Sequence, residues 1–311
     1  RTSTSDNYLT WGPEKVLESP ANVTYMNLYN LSDEDTLYNL YRGIDWNPTY
    51  VTSKDGGLTW SNEHIHLIQN EVEGYQRPYA RYAGNGKDTI GLSFTDAHPR
   101  DFGNSIYYAE FRDGNFYNVD GTLIKNLKED GPLKPSEAEK LFQGGGGDYR
   151  SNELSAEKSA WTSSVAFDKN GYPHIAYTYY INNQDQRYRL ASWDGKQWHD
   201  REIAYAGSRL YDREASYTGL VSLEPNNPNH VVISTNVDPN TGIALDMPHQ
   251  IFRANIQLND ETDTIHWEQL TNDPHNENLR PMIVNGKNHN VILRLQGQFN
   301  PYTDYYLHAV G

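Results

Sequence analysis

Tyrosine, arginine and histidine side chains stand out in the polar loops of this sequence. Tyr25 and Arg42 lie on either side of a predicted turn, and His98 precedes a proline in the loop TDAHPRDFGNS. The chain has no Gly-x-Ser-x-Gly element, no phosphate-binding loop and no paired spacing typical of a metalloenzyme. The chemistry that these residue types suggest is proton transfer by a phenol or an imidazole beside a guanidinium.

Such a trio suits β-elimination at a uronic acid. The C5 proton of the sugar is acidic only when the adjacent carboxylate is neutralised, which arginine can do through a bidentate ion pair. A tyrosine or a histidine can remove the proton and protonate the leaving oxygen. We therefore predict three catalytic residues: Arg42 as the neutralising group, Tyr25 as the proton-transfer group and His98 as a helper.

Other loop residues are predicted to bind the substrate, with the arginines contacting sulfate or carboxylate groups. These residues are Trp46, Asp45, Arg100, Arg187, Arg189 and Tyr217. Structural roles compete with these functional ones, because Tyr25 can be an ordinary strand aromatic and Arg42 can hold a loop carboxylate. His98 can equally make a structural hydrogen bond. A glycoside hydrolase would depend instead on Asp45 or Asp96, or on a lone histidine.

Residues 22–60 indicate how the candidate side chains are positioned. The runs VTYMNLYNL and DTLYNLYRG flank a polar turn near Asp33, which predicts a β-hairpin. Antiparallel counting places Tyr25 opposite Arg42, within cross-strand reach. A third strand and residues 53–60 follow, and this octet has the S-x-D-x-G-x-T-W form of an Asp box, a turn between the outer strands of a propeller blade.

The hairpin recurs four more times, around the turns at residues 85–86, 169–171, 226–228 and 285–286. Most copies continue into a third and a fourth strand. This repetition predicts an all-β fold, a β-propeller of four-stranded blades with five blades visible. The fifth copy lacks a fourth strand, and we expect the N-terminal strand to supply it.

We predict a single propeller domain over residues 1–311, with an insertion between blades at residues 128–158. The insertion contains LKPSEAEKLF, which is predicted to form a short helix beginning at Pro135 or Ser136 and ending at the glycine run 144–147. The loops between second and third strands should share a face with the starts of the innermost strands. That face carries the candidate residues and is predicted to be the functional one.

Composition restricts the partners. The 311 residues carry a formal net charge of −15, which argues against nucleic acid, and no apolar run is long enough to span a membrane. The predicted partner is an acidic polysaccharide, and the protein is expected to be a monomer. No cysteine is present, so disulfides and thiolate metal sites are excluded. The mechanism requires no cofactor, and the sequence leaves a structural calcium or zinc ion open.

Several segments together resemble the BNR-repeat (BNR-4 type) propeller family that includes ulvan lyases. They are VTYMNLY, YRGIDWNPTYVTSKDGGLTW, SFTDAHPRDFGNSIYYAEFRDGNFYNVDGT, EIAYAGSRLYDREASYTGLVSLEP and STNVDPNTG. The resemblance implies a secreted or periplasmic, seven-bladed propeller that cuts the bond between rhamnose sulfate and uronic acid in ulvan. It also implies that Tyr25 transfers protons, that Arg42 neutralises the carboxylate and that His98 lines the cleft.

The sequence departs from the family pattern in one respect. Such enzymes usually carry one or two further blades before this segment, with an Asp-Asp-His-Asn-like stretch whose histidine takes part in proton transfer, and no such stretch occurs here. Without that histidine, Tyr25 acts as both base and acid, or His98 substitutes, or activity is lost. The alternatives are therefore a sialidase-like or rhamnosidase-like glycoside hydrolase and a non-catalytic carbohydrate-binding propeller.

Overall fold

The strands of this protein form antiparallel sheets that are arranged side by side as the blades of a propeller. The computed structural model describes residues 3–4, 7–14, 16–72, 77–147, 156–256, 264–286, 290–301 and 303–311. Five blades follow a small N-terminal pair of strands, so the all-β propeller predicted from the hairpin repeats is confirmed. None of the helices in the described ranges has the length and hydropathy needed to cross a membrane.

The first two blades hold the N-terminal half of the fold. The N-terminal pair is β1 (Ser3–Thr4) and β2 (Asn7–Trp11). Blade 1 consists of β3 (Thr24–Leu31), β4 (Thr36–Arg42), β5 (Pro48–Ser53) and β6 (Ile65–His66). Blade 2 consists of β7 (Ala80–Gly84), β8 (Ile90–Phe94), β9 (Ile106–Arg112), β10 (Asn115–Tyr117), β11 (Leu123–Asn126) and β12 (Glu139–Phe142), with the short helix α1 (Leu127–Asp130) after β11.

The remaining three blades follow in chain order. Blade 3 consists of β13 (Ser159–Phe167), β14 (Pro173–Tyr180), β15 (Gln186–Trp193) and β16 (Trp198–Gly207). Blade 4 consists of β17 (Val221–Glu224), β18 (Asn227–Thr235), β19 (Gln250–Asn255) and β20 (Glu268–Gln269). Blade 5 consists of β21 (Glu277–Asn285), β22 (Asn290–Phe299) and β23 (Tyr305–Val310).

The hydrophobic core lies between successive blades. Leu40 and Tyr50 of blade 1 pack with Leu92 and Phe111 of blade 2 in one buried cluster. Further clusters join blade 2 to blade 3, blade 3 to blade 4 and blade 4 to blade 5. Many of these strands are buried on both faces, which explains the continuous apolar and aromatic runs in the sequence. Several of the abundant tyrosines are core residues, Tyr41, Tyr108 and Tyr177 among them.

The turn between β5 and β6 is closed by side chains within it. The Asp55 carboxylate accepts the backbone N–H of Thr59 at 2.8 Å, and the Ser53 hydroxyl accepts that of Gly57 at 2.8 Å. Gly56 and Gly57 have φ of 70° and 86°, a region that glycine enters without steric cost. The octet therefore forms a tight turn for the local reasons that its sequence indicates.

The insertion corrects one expectation. The predicted helix over LKPSEAEKLF does not form: Pro135–Glu137 makes a single 3₁₀ turn, and Glu139–Phe142 becomes β12. β12 pairs with the part of β9 around Tyr107 that β10 leaves open, so sheet hydrogen bonds outweigh the weak stability of a short helix. Residues 148–155 of the predicted insertion lie outside the described residues.

The N-terminal strand also differs from its predicted position. It was expected to become the fourth strand of blade 5, but in the described residues β2 pairs with β1, and the sheet of blade 5 ends at β23. The hairpin of blade 1 also differs by one residue from the predicted register. Thr24, not Tyr25, is the partner of Arg42, because a β-bulge interrupts the ladder between Thr24 and Asn27.

Candidate functional site

A cavity of about 120 Å³ lies where the innermost strands of the five blades begin. Its lining includes at least one side chain from each blade or from the segment leading into it. In blade order these are Tyr25, Arg81, Trp161, Leu220 and Arg280. The predicted functional face is therefore a real concavity, on the side of the molecule where the candidate loops emerge.

Unusual backbone conformations direct several of these side chains. Tyr25, Leu220 and Arg280 have positive φ of 59°, 74° and 51°, which is uncommon for residues other than glycine. Tyr25 and Arg280 lie in β-bulges that interrupt the pairing of β3 with β4 and of β21 with β22. A bulge re-aims a side chain that regular alternation would place on a sheet face. Such strain is typical of functional sites, because the surrounding fold must maintain it.

Tyr79 is the centre of an aromatic wall. Its ring centroid lies 6.2 Å from that of Tyr25, 5.4 Å from His98 and 5.2 Å from Trp161. Trp161 in turn stacks with Tyr217 at 6.3 Å. Burial raises the pKa of Tyr79 and of Tyr217 to about 12, so both phenols stay protonated at neutral pH. The rings of this wall can pack against a sugar. Tyr25 is the most exposed of the tyrosines named here, with 62% of its surface exposed, so a sugar in the cavity can reach its hydroxyl.

His98 lines the cavity as a neutral imidazole. Its Nδ1 accepts the backbone N–H of Arg100 at 3.2 Å, which places the imidazole proton on Nε2. Burial, together with the nearby charges of Arg100 and Arg42, lowers the pKa of His98 to about 3. His98 is therefore suited to donating a hydrogen bond from Nε2 and is a poor proton acceptor.

Arg42 stands in a recess of about 20 Å³ that it shares with Tyr25 and Tyr79. Its guanidinium carbon lies 4.7 Å from the ring centroid of Tyr79 and 5.1 Å from that of Trp46, and its Nε donates to the Trp46 carbonyl at 3.0 Å. Asp45 is exposed and contributes its carbonyl to Arg77. Tyr25 and Arg42 therefore remain neighbours despite the one-residue shift in strand register. Trp46 contacts Arg42, but neither Trp46 nor Asp45 lines the main cavity.

The three arginines predicted to contact substrate are all held by carboxylates. Arg100 donates to Glu214 at 2.9 Å beside the cavity. Arg187 pairs with Asp185 and Glu202 and stacks on a tyrosine ring, and Arg189 pairs with Asp200 at 2.8 Å. Both lie on β15, the third strand of blade 3, and the structure does not bring them to the cavity. Tyr217 is the one predicted binding residue that lines it.

Among the aromatic and cationic residues of the cavity, sequence reasoning missed Tyr79, Arg81, Trp161 and Arg280. Arg81 is close enough to Tyr25 and Arg280 to interact electrostatically with both. Each of the four lies at or near the start of an innermost strand, as Tyr25 does in blade 1. Alignment of the five hairpins by position was the signal that could have found them.

Carboxylates are missing from the lining. Among the described residues, those that border the cavity include arginine, tyrosine and histidine side chains and neither aspartate nor glutamate. Asp96, the alternative hydrolytic carboxylate, instead accepts hydrogen bonds from the Ser105 N–H and the Tyr107 hydroxyl, both at 2.8 Å. Over the same part of the chain, no group of three or more acidic or histidine side chains is arranged to hold a metal ion.

Comparisons with known proteins agree with this architecture. A family model described as "BNR repeat-containing family member" matches residues 2–206. Two structures of an ulvan lyase of polysaccharide lyase family 25, one of them bound to -[GlcA(1-4)Rha3S]-, each align with a TM-score of 0.58 and 15% identity. The alignment covers 88% of this chain and 62% of the ulvan lyase, so the chain spans less than two thirds of that enzyme.

A more distant likeness is to an α-L-arabinofuranosidase from Fusarium graminearum. It has a TM-score of 0.45 and 15% identity over 88% of this chain and 77% of that one. Comparison with curated protein sequences gives no match. At these identities the similarity of the solved structures establishes the propeller fold alone.

Proposed function

The chain belongs to the BNR repeat-containing family, and from the chemistry of its cavity we propose that it is a polysaccharide lyase. The substrate class is a sulfated, uronate-containing polysaccharide, with ulvan as the specific candidate. The ulvan lyase with the same fold was solved with a glucuronate–rhamnose sulfate chain bound, which supports that choice. In such a role the protein would be secreted or periplasmic, where polymers of this size occur.

The observation that carries the proposal is the charge of the cavity. Arg81 and Arg280 border it, Arg42 stands behind Tyr79, and the described lining has no carboxylate. Guanidinium groups can hold a uronate carboxylate through paired hydrogen bonds, which is what acidifies the C5 proton. A glycoside hydrolase of the usual kind needs two carboxylates beside the scissile bond, and the part of the lining that the structure describes offers none.

Tyr25 is the residue placed to move the proton. In the proposed reaction its phenolate oxygen takes the C5 proton, the C5–H electron pair forms the C4–C5 double bond, and the C4–O bond breaks. The phenol then returns the proton to the departing oxygen, so one residue serves as base and acid and no other reactant is needed. Tyr79 and Tyr217 are less suited, because burial keeps both phenols protonated.

The arginines and His98 would prepare the substrate for this step. Arg42, Arg81 and Arg280 stabilise the enolate-like charge that develops on the uronate. His98, with its proton on Nε2, donates a hydrogen bond to the sugar and does not act as the base. The proposal thus keeps the helper role predicted for His98, in which the imidazole donates a hydrogen bond to the sugar.

The test is the ultraviolet absorbance of a 4,5-unsaturated uronate on incubation with ulvan. We expect Tyr25→Phe to lower the turnover number by about 10²–10⁴-fold, the usual contribution of a general acid–base group. Tyr305→Phe is the matched control, since Tyr305 is 59% exposed on blade 5 and is not part of the described lining. Arg42→Ala and Arg81→Gln should each reduce elimination, whereas Arg253→Gln, in an exposed ion pair, should not.

Other outcomes would identify the alternatives. Release of reducing ends with no ultraviolet product, retained in Arg42→Ala, would indicate a carboxylate-driven glycoside hydrolase. Binding of the polymer without any turnover would indicate a carbohydrate-binding propeller. Either result, obtained with a folded protein over a panel of uronate polymers, would overturn the lyase assignment.

A further inference from the structure

A second concavity lies at the opposite end of the blades from the candidate active site. It has a volume of about 560 Å³ and is bordered by the turns of blades 3 and 4 that close their first hairpins. Trp161 stands near the start of β13 and Asp168 just after its end, so the two sites are separated by roughly 20 Å of extended strand. The volume falls within the range of about 300–1,000 Å³ that is usual for small-molecule sites.

A row of polar side chains forms the wall of this groove in blade 3. His174 on β14 is paired directly with Ser192 on β15, and Ser192 is paired with His199 on β16. Directly paired residues of adjacent strands project from the same face of the sheet, so the three side chains stand side by side. Blade 4 contributes Asn229 from across the groove. The parallel bridge between Asp168 and Asn226 fixes the two blades to each other here.

Three of these side chains have polar atoms that nothing satisfies. His174 Nδ1, Ser192 Oγ and Asn229 Oδ1 are buried and have no hydrogen-bond partner among the described residues. The side chains of His174 and Ser192 belong to residues that are 4% and 1% exposed. A buried polar atom without a partner costs free energy, and three beside one groove indicate a bound molecule that completes them.

The unsatisfied atoms specify a neutral ligand with hydroxyl groups. Burial lowers the pKa of His174 to about 4, so its imidazole is uncharged at neutral pH. A serine hydroxyl and a neutral imidazole can each donate or accept, and the asparagine oxygen accepts, which matches the mixed capacity of a sugar hydroxyl. Two carboxylates, Asp168 and Asp194, and one ammonium, Lys169, border the groove, so its charged lining does not favour an anion. Tyr172 and Trp193 supply aromatic surface for the apolar face of a sugar ring.

We propose that this groove between blades 3 and 4 is a second saccharide site, which holds a neutral sugar unit through His174, Ser192 and Asn229. Its selectivity is opposite to that proposed for the cationic central cavity. A polymer that alternates charged and uncharged residues, or that carries neutral branches, could therefore be held at both ends of the propeller. The groove binds and does no chemistry, so this inference stands whether or not the central cavity catalyses elimination.

The test is saturation-transfer NMR with the free monosaccharides L-rhamnose, D-xylose and D-glucose, with D-glucuronate as the charged comparison. We expect transfer to at least one neutral sugar and little to glucuronate. Ser192→Ala and Asn229→Ala should each weaken that binding by about three- to tenfold, the usual effect of losing one hydrogen bond. Tyr305→Phe, at a residue outside the described lining of both sites, should leave it unchanged.

Thermal unfolding of both groove variants, measured beside the wild type, shows that a loss of binding does not come from misfolding. The proposal is wrong if no neutral sugar shows transfer, or if glucuronate binds as well as the neutral sugars do. It is also wrong if both folded groove variants bind the sugar as the wild type does, in which case water alone fills the groove. Loss of ulvan turnover with intact binding in the groove would count against the lyase proposal alone.

Discussion

At the scale of single residues, the cavity wall depends on Glu214. This carboxylate is 4% exposed, and it accepts a hydrogen bond from Arg100 at 2.9 Å and another from the Ser216 hydroxyl at 2.7 Å. Ser216 lines the cavity, and the backbone of Arg100 fixes the His98 ring. Glu214 therefore holds both sides of the site without lining it.

We expect Glu214→Gln to lower the free energy of unfolding by about 2 kcal/mol, because the partly buried Arg100 guanidinium loses its nearer carboxylate partner and keeps Asp101, at 3.5 Å. Glu202→Gln removes one of the two carboxylate partners of Arg187, at a more exposed position, and should cost less than about 1 kcal/mol. Urea denaturation at constant m-value measures both. Equal decreases in the free energy of unfolding for the two variants would show that the Arg100–Glu214 pair stabilises the protein no more than the exposed pair does.

Residue types alone identified part of the site. Tyr25, His98 and Tyr217 were predicted from the sequence and do line the cavity, and Arg42 adjoins it. Arg187 and Arg189 have the same chemistry but face carboxylates on their own blade, Asp185 and Asp200 among them. A lone sequence does not reveal which arginine has a counter-charge nearby, since partners such as Asp200 and Glu202 come from a neighbouring strand.

At the scale of elements, the segment after β12 packs against the loop that carries His98. A Cβ atom on Gly144 would lie 2.0 Å from the carbonyl oxygen of Asn104. The Asn104 side chain in turn makes two hydrogen bonds to the backbone of Ala97, at 2.9 and 2.7 Å, directly before His98. The insertion therefore acts on the site by supporting this loop.

Gly144→Ala is expected to destabilise the protein by about 1–3 kcal/mol, since backbone must move to admit the methyl group. It should also raise the KM for the polymer, as Asn104 shifts His98. Gly146→Asn is the matched control: Gly146 has a φ of 59°, which asparagine tolerates, and open space surrounds it. Thermal unfolding and steady-state kinetics on the two variants check this, and a harmless Gly144→Ala would contradict the close packing.

Hairpins and strands were predictable because each is specified locally, by a turn signal between apolar runs. The β-bulge at Tyr25 was not, since it changes the register by one residue and depends on what packs around the strand. The strand Glu139–Phe142 likewise depends on an open stretch of β9, which lies about thirty positions earlier in the chain. The local sequence pattern therefore predicts the strands and turns. The bulge at Tyr25 and the strand Glu139–Phe142 depend on contacts with residues distant in the chain.

At the scale of the whole molecule, the propeller brings together side chains from Tyr25 to Arg280 that no short motif contains. The repeat predicts that innermost strands meet at a common axis, and therefore that their first residues form one site. The packing of the blades also buries two histidines whose pKa it lowers. His98 lies in the central cavity, and His174 lies in the groove at the other end of the blades. Burial keeps both imidazoles neutral, with the pKa lowered to about 3 and about 4.

These two histidines should make the fold sensitive to mild acid. An unfolded histidine titrates near pH 6.5, so between that pH and about 4 the unfolded chain binds protons that the folded protein does not. Stability is therefore unaffected above about pH 7 and falls as the pH drops, by up to about 1.4 kcal/mol per pH unit for each histidine. Urea denaturation at several pH values between about 7 and 4.5 measures the slope.

The contribution of one histidine can be separated from the others. His174→Asn removes a titrating group and should flatten the slope by about half, whatever it does to stability at neutral pH. His308→Asn replaces an exposed histidine of β23 and should leave the slope as it is. An unchanged slope in His174→Asn would mean that the imidazole takes up a proton without unfolding, and hence that the groove between blades 3 and 4 admits water and charge more freely than its packing indicates.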